Sequence, residues 1–167
     1  TIERGDALGL TTGQADSRRA RGCIAQLQGD HQTVLDLAVQ TEEILAGTDE
    51  SMFPIWWSPT TCQSLIATGQ LDEAEQRLET TLEATRKADM PHWEAMALKA
   101  RALLHQARGD DEAARTDLDA AIAIFEKLES RLELARALVV RGDDNDLTRA
   151  RALCQSCGAP ADLANLG

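Results

Sequence analysis

The stretch from Gly69 to Lys87, GQLDEAEQRLETTLEATRK, decides how the rest of the chain is read. A glycine closes one helix, a short acidic turn follows, and a second helix begins with Ala74, Leu78, Leu82 and Thr85 on one face. The pattern is that of a helical hairpin. It returns forty positions later at Gly109, Asp110 and Asp111, with Leu118, Ala121, Ile122 and Phe125 as the apolar stripe. Forty positions earlier stand Gly29 and Asp30, followed by Val34, Ala38, Thr41 and Leu45. A repeat of this kind speaks to architecture and binding rather than to a reaction.

Working outward, residues 1–15 read as an irregular lead-in or the end of an upstream helix, because Gly5, Gly9, Gly13 and two threonines lower helix propensity. From Asp16 the pattern is helical, with Ala20, Cys23, Ile24 and Leu27 as its expected apolar face. The segment Ser51 to Pro59 is the largest interruption and carries three of the five aromatic residues. Ser58 followed by Pro59 predicts a helix start, since Ser caps free amides and Pro fits the first turn. A long helix then follows Asp89, Met90 and Pro91, carrying Trp93, Met96, Ala97, Ala100, Leu103, Leu104 and Ala107. Four hairpins are expected, at about 16–47, 57–88, 90–128 and 129–157, within a repeat domain spanning 16–158. Residues 159–167 are expected to form a tail or short capping turn. No stretch alternates with a period of two between hairpin turns, so the fold class is all-α.

Composition supports packed helices. The 167 residues are 43% hydrophobic and 27% charged, with 3% aromatic residues and no tyrosine, which leaves Leu, Ala, Ile and Val to build the core. A chain of this length buries roughly 70% of its unfolded surface. The net charge of −11 argues against a nucleic-acid surface, which needs concentrated Lys and Arg. No apolar run is long enough for a membrane span, and the four cysteines do not make a disulfide scaffold. A cytoplasmic setting is therefore expected. Because the chain opens on Thr1 rather than Met, the expectation is a piece of a longer protein.

These features resemble the tetratricopeptide repeat (TPR) family, whose repeat is a helical hairpin of about 34 residues with small residues where the helices touch. The small position of the family's first helix falls on Gly22, Cys62, Ala102 and Ala135. Those of the second helix fall on Val34, Ala74, Ala114 and Leu147, and on Thr41, Thr81, Ala121 and Cys154. The large position between them falls on Ala38, Leu78, Leu118 and Arg151. The spacing departs from the family, and its tryptophan, tyrosine and closing proline positions are lost. The resemblance implies a right-handed α-solenoid of about four stacked antiparallel hairpins. In its long-helix form and its tail it is similar to arrays in large bacterial transcriptional regulators and cyclase-linked ATPases.

Candidate chemistry is sparse. Cys154 and Cys157 have the spacing of half a zinc or redox site, but no second ligand pair lies nearby, and helix packing is the favoured reading. His31, His92 and His105 share no ligand spacing and accompany no nucleophile motif. Arg18, Arg19 and Arg21 form the compact basic cluster, read as a solvated helix face. Met52, Phe53, Trp56 and Trp57 offer either hairpin packing or an interface. No catalytic residue, cofactor or metal is expected.

The resemblance places the binding surface on the concave face, lined by first helices. Mapped onto this chain it gives Arg19, Gln26, Trp56, Gln63, Met96, Lys99, Leu103, Gln106 and Arg136, with Cys23, Ile66, Leu132 and Val139 beside them. That mixture would suit a protein or peptide with apolar anchors and some negative charge. Charge reversal at Lys99 and Arg136 would then weaken capture without lowering the melting temperature. The expected function is a non-enzymatic interaction or scaffolding module within a larger bacterial protein. The alternatives are a small-effector sensor of a transcriptional regulator and a self-association domain forming a homo-oligomer.

Overall fold

The computed structural model describes residues 11–48 and 52–164. Most of the expected lead-in, residues 49–51 and the last three residues of the expected tail lie outside them. Among the described residues every regular element is helical: α1 (Thr11–Leu27), α2 (His31–Leu45), α3 (Phe53–Ala67), α4 (Leu71–Lys87), α5 (Pro91–Ala107), α6 (Asp111–Lys127), α7 (Arg131–Arg141), α8 (Asp144–Cys157) and α9 (Pro160–Ala164). Consecutive helices pack as hairpins, and the fold is an all-α, TPR-like repeat.

One turn geometry generates the repeat. At Gly29, Gly69, Asp89, Gly109 and Glu129 the backbone enters the left-handed region, with φ between 50° and 81°. The next amide then reaches back five residues: Asp30 to Ala25, Gln70 to Leu65, Met90 to Thr85, Asp110 to His105 and Ser130 to Phe125, all at 2.8–2.9 Å. This closure satisfies the last carbonyls of each helix. Because it recurs at multiples of twenty residues, each hairpin from Phe53 to Lys127 consists of helices of similar length. The aspartates at 30 and 110 also cap the helices that follow, accepting the amides of Thr33 (3.1 Å) and Ala113 (3.0 Å).

The three second-helix stripes are all buried: Val34, Ala38, Thr41 and Leu45; Ala74, Leu78, Leu82 and Thr85; Leu118, Ala121, Ile122 and Phe125. A fully buried leucine such as Leu78 contributes about 1.5–3 kcal/mol. Threonines fit this core because their hydroxyls bond their own helix, as Thr41 does with the Leu37 carbonyl at 2.8 Å and Thr85 with that of Leu82 at 3.1 Å. The first-helix small positions Gly22, Cys62, Ala102 and Ala135 are buried too.

The chain divides into two compact units within α4, between Thr80 and Thr81. In the first, α1 packs on α2 and α3, and α2 on α3. Ala15, Leu37, Ala38, Leu45, Phe53 and Trp57 form its core cluster, in which Phe53 and Trp57 meet edge to face with centroids 6.5 Å apart. In the second, α5 packs on α6, α6 on α7, α7 on α8 and α9 on α8, while α7 also touches α5.

Four sequence expectations are corrected. Helix α1 starts at Thr11, not Asp16, and buries Ala15, Gly22 and Ala25 rather than Ala20, Cys23, Ile24 and Leu27. Its core contact is the Trp57 ring, which needs a near-bare backbone opposite it and so selects the small-residue face. Helix α3 starts at Phe53 with Pro54 in its first turn, and Pro59 lies inside the helix. Either proline meets the first-turn requirement, and burial of Phe53 and Trp57 favours the earlier start. In the last hairpin, Gly142 makes only a four-residue closure, to Leu138, and Asp143 is extended (ψ 148°, against 76° at Asp110). The register of α8 therefore slips by one: Asp146, Ala150 and Cys154 are buried, Leu147 is half-buried, and Arg151 is exposed.

Candidate functional site

The first helices carry the predicted binding positions, and each unit presents its own set. In the first unit, Arg19, Cys23 and Gln26 on α1 and Trp56, Gln63 and Ile66 on α3 follow helical spacings of three, four and seven. Gln26 Nε2 donates to Gln63 Oε1 at 2.7 Å, so these two amides bridge the helices. Arg19 pairs with Asp16 at 3.2 Å. Trp56 is exposed and touches Phe53, while its neighbour Trp57 is buried over Gly22. The Met52–Trp57 stretch thus divides into a core part, Phe53 and Trp57, and a surface part, Trp56.

In the second unit, Met96, Lys99, Leu103 and Gln106 on α5, and Leu132, Arg136 and Val139 on α7, follow helical spacings of three and four. The two helices are tied by polar bonds along this edge. Lys99 Nζ donates to Glu133 Oε2, Arg136 donates to the other Glu133 oxygen, and Arg136 also holds Asp162 of α9 with two bonds at 2.7 and 3.2 Å. Gln106 Nε2 donates to the Val140 carbonyl at 3.3 Å. Burial pushes the Glu133 carboxyl up, but Lys99 and Arg136 outweigh it and hold the group below its ordinary range.

This network corrects the expected charge of the surface. Lys99 is buried, and Lys99, Glu133, Arg136 and Asp162 sum to zero. The positions chosen as basic contacts for an acidic partner are spent on joining α5, α7 and α9. Sequence spacing did not reveal Glu133 and Asp162 as their counterions. The signal was present as the acid three residues before Arg136, a spacing that places both on one helix side. What remains toward the surface is apolar: Met96, Leu103, Leu132 and Val139 are half-buried, with Gln106 exposed beside them.

The other polar groups serve packing. Arg101 grips the buried Asp117 with two bonds of 2.7 and 2.6 Å, and His105 lies 3.5 Å from the same carboxylate. Arg141 holds Asp146 at 2.6 and 2.8 Å and reaches Asp119. His31 meets Ser64 at 3.3 Å, and His92 meets Ser130 at 3.4 Å while stacking edge-on to Phe125. The cysteine pair is split: Cys154 is buried in α8 and Cys157 is exposed, so their sulfurs do not share an environment. Among the described residues no three His, Cys, Asp or Glu side chains converge on a common point that would hold a metal ion. No described helix is long and apolar enough to cross a membrane.

Residues 62–127 match the family model described as tetratricopeptide repeat. The matched span runs from the small position Cys62 to the end of α6 and contains the stretch from Gly69 to Lys87. No curated protein matches the chain.

Proposed function

Because this chain is a TPR-like helical-repeat domain, we propose that it is a non-enzymatic interaction module that captures a peptide or helix of a partner protein on the α5 and α7 face of its second unit. Repeats of this family mediate protein–protein interaction and scaffolding. The observation that carries the reading is the group Met96, Leu103, Leu132 and Val139, half-buried apolar side chains on two helices where Lys99, Glu133 and Arg136 are already paired. Apolar anchors on a segment laid along these helices would complete their burial, and the exposed Gln106 amide would hold its backbone. The preferred partner therefore carries apolar anchors and needs no net charge.

On the first unit, Trp56 with Cys23 and Ile66 offers a second apolar contact of the same kind. The net charge of −11 supports a protein rather than a nucleic acid as partner. We take the module to be a cytoplasmic, regulatory part of a larger bacterial protein, a reading supported by the resemblance of its long-helix repeats and tail to regulator arrays.

Peptide display against the immobilised chain tests the reading. Selected sequences should share apolar anchors, and Leu103→Glu and Val139→Glu should abolish their capture while leaving the helical circular dichroism and its melting temperature within a few degrees of wild type. Capture that survives both substitutions would remove α5 and α7 as the binding face.

A further inference from the structure

Helix α9 is five residues long, too short to hold its shape without packing. It follows a pivot at Gly158, where the backbone is left-handed at φ 63°, and the Ala159 amide closes back on the Cys154 carbonyl at 3.0 Å. From there α9 packs on α8, with Asp162 and Leu163 half-buried. Arg136 of α7 fastens it, donating to both Asp162 oxygens at 2.7 and 3.2 Å.

The place of this fastening lies on the proposed peptide face. Arg136 follows Leu132 by four positions and precedes Val139 by three, so the three share one side of α7. Asp162 is thus bound to the residue at the middle of the row whose apolar members would meet a captured segment. The sequence of α9, Pro-Ala-Asp-Leu-Ala, is itself a short apolar segment with one carboxylate.

The fastening is also releasable. The Arg136 side chain is 33% exposed and keeps Glu133 when Asp162 leaves, so release strands no buried cation. A partly exposed ion pair of this kind adds little to stability. Lys99 differs, because it is buried against Glu133 and has no water to return to. The network therefore has a fixed half, which joins α5 to α7, and a detachable half, which holds α9.

We infer that α9 is an autoinhibitory strap, which occupies the α7 side of the peptide face and leaves when a partner segment is captured. The inference rests on the α5 and α7 reading of that face and adds its control. Capture draws on the open state alone, so the apparent affinity falls by the fraction of molecules in which α9 is released. An open state populated at about 10% lowers it about tenfold.

The test titrates the full chain and its Asp162→Ala variant with a display-selected peptide that carries no charged side chain, so that a change in affinity reads release rather than charge. The Leu163 amide, which donates to the Ala159 carbonyl at 3.1 Å, reports on α9 through hydrogen exchange followed by NMR. In the wild-type chain the peptide should speed Leu163 exchange, the opposite of the slowing expected beside an intact helix. Asp162→Ala should exchange Leu163 rapidly without peptide and bind the peptide about tenfold more tightly, with the melting temperature little changed. Peptide capture that Leu103→Glu abolishes, but with equal Kd in both chains and unchanged or slowed Leu163 exchange, would overturn the strap and leave the face standing. Absence of capture by either chain would overturn the face and the strap together.

Discussion

Lys99 Nζ of α5 lies 2.5 Å from Glu133 Oε2 of α7, in a place where the lysine is only 5% exposed. Breaking such a pair from one side leaves a buried charge without a partner, which costs about 3–5 kcal/mol. Glu133→Gln should therefore unfold at much lower denaturant, and the joint replacement Lys99→Met with Glu133→Leu should return most of the loss. Reversing the charges at Lys99 and Arg136 would set carboxylates against Glu133 and destabilise the chain, contrary to the expectation from sequence.

The same pair predicts a pH dependence. Lys99 and Arg136 hold the Glu133 carboxyl below its ordinary value of 4.5 despite its burial, and the bonds from Arg141 hold Asp146 below 3.8. Carboxyls depressed in the folded state stabilise it fully above their unfolded values and lose that contribution as pH falls through their folded values. Thermal melts should show stability flat above about pH 5 and falling below it. Glu133→Gln should be less stable at neutral pH and show a shallower acid slope.

Gly22 faces Trp57 so closely that an added Cβ would stand 2.8 Å from the ring carbon Cζ2. In an open helix, glycine to alanine gains about 1 kcal/mol. Here the indole is buried and rigid, so Gly22→Ala should instead cost about 1–3 kcal/mol. Trp57 Nε1 is buried without a hydrogen-bond partner, so Trp57→Phe removes an unsatisfied donor as well as the crowding atom. A double-mutant cycle in urea should show Trp57→Phe relieving the Gly22→Ala penalty.

Asp89 and Glu129 occupy the left-handed turn position at φ 50° and 54°, where the other closures have glycine. Glu129→Gly should stabilise by about 1 kcal/mol, because the side chain there works against the backbone. Gly109→Ala should cost a similar amount. Midpoints of urea unfolding measure both, and an unchanged Glu129→Gly midpoint would contradict the turn account.

Thiol labelling should separate the cysteines by burial. Cys157 is exposed, whereas burial pushes the Cys62 thiol up to about 11 and raises that of Cys154 as well. Iodoacetamide followed by mass spectrometry should modify Cys157 first and reach Cys62 and Cys154 only with unfolding.

The turn glycines and second-helix stripes were legible because they are local: the left-handed closure and the spacing of Leu78 and Leu82 lie within twenty residues. The orientation of α1 was not, because its core contact, Trp57, lies thirty-five positions away. For the same reason Lys99 read as a free charge, since Glu133 sits in another hairpin. The slip in α8 depended on one turn, where Gly142 closes to Leu138 instead of making the five-residue bond. Helix periodicity carries the fold, whereas the binding face depends on which polar groups find partners across hairpins.

Methionine-methyl NMR gives the most direct test of partner capture on α5 and α7. The chain has three methionines: Met96 on the proposed face, Met52 ahead of α3, and Met90 in the turn before α5. Titration with a display-selected peptide should move and broaden the Met96 methyl signal, leave those of Met52 and Met90 in place, and have no effect in Leu103→Glu. A Met96 signal that stays put while the peptide binds would contradict the account.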